Sequence, residues 1–213
     1  MDTSWAAEHL QTIRTLMERS ALYRRALAPI MTFNGAVGAA AAVAGWAGHL
    51  GSPRGFIVYW MAVAAVAMIG SFLLVRRQAL REAEPFWSPP TRRVTWAMLP
   101  PLAVGAVIGF LVLAHGNPAT GEQDPLSAMV WVPLGWIILY GCAFHAAGFF
   151  MPRGMRVFGW AFVLAGCGLL ALRPQGRLEP SLCGYALMGF FFGLLHLAYG
   201  VYLYFTEQRG NET

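Results

Sequence analysis

Residues 56–75 read FIVYWMAVAAVAMIGSFLLV, an unbroken stretch of 20 residues with no charged side chain. A helix rises about 1.5 Å per residue, so this stretch covers about 30 Å, the thickness of a bilayer's hydrocarbon core. It is bounded by HLGSPRG (49–55) on one side and RRQALREAEPFWSPPTRR (76–93) on the other. Polar and Pro- or Gly-rich boundaries of this kind are where a chain leaves the membrane.

The same reading extends outward to six spans, at 27–50, 56–75, 94–114, 128–150, 157–172 and 182–205. The fifth is the shortest. Apolar and polar residues do not alternate along any of them, which argues against a β-barrel. The expectation is an all-α polytopic membrane protein, with six transmembrane helices in residues 27–205 and a tail over 206–213. Composition agrees: 57% of the 213 residues are hydrophobic and 12% charged, with mean hydropathy +0.52. Soluble domains carry about 25% charged residues, so a soluble enzyme, a disulfide scaffold and a disordered tail are excluded as classes.

Charge placement predicts orientation. All 15 cationic residues are arginine, against 10 Asp plus Glu. Arg14, Arg19, Arg24, Arg25, Arg76, Arg77, Arg81, Arg92, Arg93, Arg153, Arg156 and Arg209 fall on one side of the expected topology. Arg54, Arg173 and Arg177 fall on the other, twelve against three. By the positive-inside rule both termini are cytoplasmic. With no basic run interleaved with aromatics, nucleic acid is not an expected partner.

Residues 1–26 do not read as a signal peptide, since Asp2 and Glu8 replace a basic n-region. Trp5, Leu10, Ile13, Leu16, Met17 and Ala21 recur at helical spacing opposite Glu8, Arg14, Glu18 and Arg19. An amphipathic helix along the inner leaflet fits this pattern, as does one packed on a partner subunit or on the 76–93 loop. In that loop Pro85, Pro89 and Pro90 are expected to stop helix. Trp87, Arg92 and Arg93 suit the headgroup level of a membrane, either as an interfacial anchor or as a site for an anionic headgroup or phosphorylated ligand.

Inside the spans ionisable residues are expensive and are functional candidates by default. No Asp or Glu lies within any span, which removes a carboxylate proton relay. His145 and His196 remain, with Asn34, Tyr140 and Cys142 as polar company. His145 lies about 8 Å and His196 about 13 Å from the same expected face. Each shares a helix face with glycines, at 141 and 148 and at 189, 193 and 200, which favours helix packing. One reading is a pair of axial ligands for haem b. The other is that each imidazole bonds a backbone carbonyl or a tyrosine such as Tyr140 or Tyr199, fixing the packing. Two histidines without a second-shell carboxylate make a poor zinc site.

Nucleophile, Walker, zincin and dinucleotide motifs are missing, and Glu82 and Glu84 are the only carboxylates of the inner loops. The function expected is therefore non-enzymatic: a small-molecule or lipid-binding sensor, a transporter-like protein or a membrane partner subunit. Haem electron transfer is the first alternative and a lipid-modifying enzyme the second. Small-residue faces could also serve a homo-oligomer. Cys167 and Cys183 fall near one membrane face, so a bridge and free thiols are both open.

Two sequence likenesses add to this reading. PRGFIVY (53–59) and PRGMRVF (152–158) each precede a span, and those spans end in LLVRRQ (73–78) and LLALRPQ (169–175). A 3+3 inverted repeat, as in many transporters, is one account and chance similarity between apolar segments the other. The segment IRTLMERSALYRR (13–25), ahead of a multi-pass body, resembles a group of bacterial inner-membrane proteins of unassigned function that open on an IRxLMERS-like segment. That resemblance implies the bacterial cytoplasmic membrane and, because such proteins often accompany small winged-helix regulators, a sensing or regulated role. It transfers no activity to any residue.

Overall fold

The computed structural model describes residues 27–49, 51–81, 83, 85–115, 128–172 and 179–211. The amphipathic helix expected over 1–26 lies outside the described residues. So does the acidic 116–127 segment, together with Glu82 and Glu84.

The described residues are helices joined by short turns, with no strand among them. Among the described residues six spans are long and apolar enough to cross a membrane. They are α1 (Leu27–Ala47), α2 (Pro53–Arg81), α3 (Pro89–His115), α4 (Ala128–Ala147), α5 (Arg153–Leu172), and a last span in three parts. That span starts as α6 (Pro180–Met188), widens into a π-helical turn (Gly189–Leu194) and resumes as α7 (Leu195–Asn211).

The ends differ from the sequence reading in an informative way. Helix α2 runs 29 residues, through Arg76, Arg77 and Arg81, because long arginine side chains reach water while their backbone stays helical. Its end is marked by Ala83 in the left-handed region at φ 52° and by Pro85. Pro89 and Pro90, expected to stop a helix, instead start α3. A proline in the first turn costs no hydrogen bond, since those N–H groups have no helical partner anyway. Helix α5 starts at Arg153, four residues earlier than expected, and its 20 residues are a full span. Pro53 opens α2 and Pro152 immediately precedes α5, so both PRG segments are helix starts.

Buried side chains form two clusters toward opposite ends of the bundle. One joins Leu27 and Met31 of α1, Ile137 and Phe144 of α4, Met155, Phe158 and Phe162 of α5, Phe191, and Leu203 of α7. The other joins Ala41, Phe56, Ile57 and Trp60 with Met129, Val132, Tyr185 and Met188. The outer surface is apolar as well: Ile69 is 60% exposed, Phe110 61% and Leu164 64%. Contiguous apolar surface on that scale would be a liability in water; in a bilayer it faces lipid.

Glycines set the closest helix approaches. A Cβ on Gly159 of α5 would stand 2.6 Å from the His145 nitrogen and 2.8 Å from the Gly141 carbonyl oxygen, both backbone atoms of α4. A Cβ on Gly200 would stand 2.8 Å from the backbone nitrogen of Thr32, and one on Gly193 would meet the backbone of Ala39 at 2.9 Å. Thus α4 lies directly on α5, and α1 directly on the last span.

Candidate functional site

His196 is 1% exposed and sits where α4, α5 and α7 converge. Rings of Tyr140, Phe144, Phe158, Phe162 and Phe192 surround it, with centroids 5.2–6.4 Å away. The π-turn explains one of its two hydrogen bonds. Leu195 N–H bonds to the carbonyl of Phe190, five residues back, rather than to that of Phe191. A π-turn shifts the backbone ladder by one residue in this way. The Phe191 carbonyl accepts instead from His196 Nδ1 at 2.9 Å. A carbonyl can only accept, so Nδ1 carries the proton and Nε2 of the neutral ring is the acceptor. Tyr140 Oη donates to Nε2 at 2.8 Å.

His145 lies elsewhere on α4. Its ring meets Phe149 and Trp160 edge-on at 5.5 and 5.2 Å, both of them largely exposed, and its Nδ1 is buried without a hydrogen-bond partner. The two imidazoles share no ring neighbour. A bis-histidine haem asks each for a free nitrogen, and both nitrogens of His196 are engaged; the residues do not fit that group as they stand. Cys142, Cys167 and Cys183 are free thiols, the first two exposed. No group of three or more His, Cys, Asp or Glu that could hold a metal occurs among the described residues.

Trp60 Nε1 is likewise buried without a hydrogen-bond partner, but several other polar groups in the spans are tied within the protein. Ser71 donates to Asn34 Oδ1 at 3.1 Å, joining α2 to α1. Tyr59 donates to the Ala41 carbonyl at 2.7 Å. Trp136 Nε1 donates to the Gly105 carbonyl at 2.8 Å. Thus Asn34 and Tyr140, both singled out as candidates, are occupied in bonds between helices.

The remaining candidates lie at the other kind of place, the end of the bundle where α2 meets α3. Ser88 and Thr91 hydroxyls meet at 3.0 Å across the first turn of α3. Arg92 and Arg93 follow, both exposed. Phe86 packs edge-on against Phe72 of α2 at 4.8 Å, and Trp87, 52% exposed, stacks beside Phe86 at 6.2 Å. Beyond Phe72, a shallow, open recess on the face of α2 is lined by Leu73, Arg76, Arg77, Leu80 and Arg81. In the sequence these arginines count toward topology alone; their i, i+1, i+5 spacing at the end of an apolar run is the signal that could have joined them to Trp87.

No family model matches the chain, and no match is found among curated proteins or among solved structures.

Proposed function

We propose that the chain is a non-enzymatic multi-pass protein of the bacterial cytoplasmic membrane, with both termini cytoplasmic. In this reading it is a sensor or transporter-like protein for a lipid or small molecule, or a subunit of a membrane complex. One contrast carries the reading. Most polar side chains of the interior, Asn34, Tyr59, Trp136, Tyr140 and His196, bond to other helices or to backbone, with Trp60 Nε1 and His145 Nδ1 the buried exceptions, whereas exposed cations and aromatics gather at one end of α2 and α3. Groups held that way build a scaffold, and groups left open at a membrane surface recognise something. The twelve-to-three arginine count supports placing that end, and both termini, in the cytoplasm.

The experiment has two parts. Reporter fusions at each terminus, one active only in the cytoplasm and one only outside it, are expected to place both termini inside. Native mass spectrometry of the full chain released from mild detergent is expected to show a retained lipid or small molecule, or a defined assembly. A bare monomer in every detergent overturns the functional reading, and an external terminus overturns the orientation.

A further inference from the structure

Residues 73, 76, 77, 80 and 81 follow an i, i+3, i+4, i+7, i+8 pattern, so they form one stripe along α2. Leu73 is 52% and Leu80 70% exposed, and Arg76, Arg77 and Arg81 are exposed as well. The stripe borders a shallow, open recess on the face of α2. Below it the neighbouring exposed side chains of α2 are apolar, Met68, Ile69 and Phe72 among them. The Phe72–Phe86–Trp87 train adjoins the stripe, and aromatic side chains of this kind favour the level between lipid tails and water.

Two other arginines are engaged by the protein, while Arg92, Arg93 and Arg153 are exposed as well. Arg54 donates to the Leu113 carbonyl at 3.0 Å, and the Arg156 guanidinium lies 4.6 Å above the Phe149 ring. Arg76, Arg77 and Arg81 make no hydrogen bond or ion pair with the described residues. The three residues span about 7.5 Å of helix axis on the water side of exposed Leu73, and each guanidinium can grip a phosphate with two parallel N–H groups.

We propose that this stripe is a binding site for an anionic phospholipid, with the phosphate held among Arg76, Arg77 and Arg81 and the acyl chains running down past the exposed Leu73 and Ile69. The juxtaposition selects an amphiphile: free phosphate would use the cations and leave Leu73 and Ile69 uncovered, and an uncharged lipid would do the reverse. Clusters of arginine just outside a span are a known pattern of anionic headgroup recognition. The inference rests on the reading that this end of the bundle lies at a membrane surface, and it names the ligand class.

The test uses the full chain in nanodiscs of phosphatidylcholine doped with phosphatidylglycerol, with retained lipid counted by native mass spectrometry. The wild type is expected to retain phosphatidylglycerol in preference, roughly fivefold weaker for each of Arg76→Gln, Arg77→Gln and Arg81→Gln. Leu80→Glu keeps every arginine and so the topology signal; its carboxylate on the stripe between Arg77 and Arg81 is expected to abolish the preference. Arg153→Gln, an exposed interfacial arginine elsewhere, is expected to change nothing. Wild-type retention by Leu80→Glu, or an equal loss with Arg153→Gln, overturns the proposal in favour of a diffuse positive field. Full competition by millimolar inorganic phosphate overturns the lipid assignment in favour of free anion. Terminal reporters read orientation separately, so a misplaced terminus with lipid preference intact counts against the orientation alone.

Discussion

Tyr140 and His196, 56 residues apart in sequence, meet through a 2.8 Å hydrogen bond from Oη to Nε2. That bond depends on a backbone irregularity in the neighbouring span. The π-turn leaves the Phe191 carbonyl to His196 Nδ1, which fixes the tautomer and turns Nε2 toward α4. One imidazole thereby joins α4 to the last span while satisfying a carbonyl that would otherwise be bare in an apolar interior.

Tyr140→Phe removes the donor and leaves Nε2 without a partner. The expected loss is about 1 kcal/mol, in line with hydrogen bonds between membrane helices and with the cost of one unsatisfied buried acceptor. A double-mutant cycle with His196→Phe, read by unfolding in mixed micelles, should show that the two losses are not additive. Additive losses would mean that the pair contributes no coupling.

The six spans are legible in the sequence because their cause is local: about 20 apolar residues between polar boundaries can hardly fold otherwise in lipid. The Tyr140–His196 pair is not legible, because it depends on the rotation of three helices about their axes. Depth along the membrane places His145 and His196 near one another; rotation turns one toward Phe158 and Phe162 and the other toward Trp160. Nor does GFFFG (189–193) announce a π-turn, since a one-residue shift of the ladder leaves no mark on residue type. The Arg76–Arg81 stripe is half legible, since the charges are plain and their place on continuing helix is not.

A spectroscopic consequence follows from the engaged imidazole. Protein purified from cells with ample haem is expected to show no Soret band before or after dithionite, because His196 has no free nitrogen for iron. A Soret band lost in His196→Ala would show that the Tyr140 and Phe191 bonds open to admit a ligand.

His49, exposed beyond the end of α1, has φ 50°. A side chain in the left-handed region costs about 1–2 kcal/mol, and glycine avoids that cost while losing about 0.5–1 kcal/mol to unfolded-state entropy. His49→Gly is therefore expected to gain about 0.5–1 kcal/mol. Thermal unfolding in detergent measures it, and a loss would show that the imidazole makes a contact of its own.

The glycines of α4 and α5 give the sharpest contrast, because four of them occupy the same two helices in opposite circumstances. Gly159 and Gly141 face backbone: a Cβ on Gly141 would stand 2.8 Å from the Gly159 carbonyl oxygen and 2.8 Å from the Val163 nitrogen. Backbone cannot rotate aside as a side chain can, so Gly159→Ala and Gly141→Ala must push the helices apart. Each should cost about 1–3 kcal/mol, and the separation should also disturb the aromatic ring about His196. Gly135 and Gly168 have no atom within 4 Å of an added Cβ. There alanine's better helix propensity acts alone, and Gly135→Ala and Gly168→Ala should gain up to about 1 kcal/mol. Unfolding midpoints in one detergent should thus move down for the first pair and up for the second. If all four moved together, close packing of α4 on α5 would not be what holds this end of the bundle.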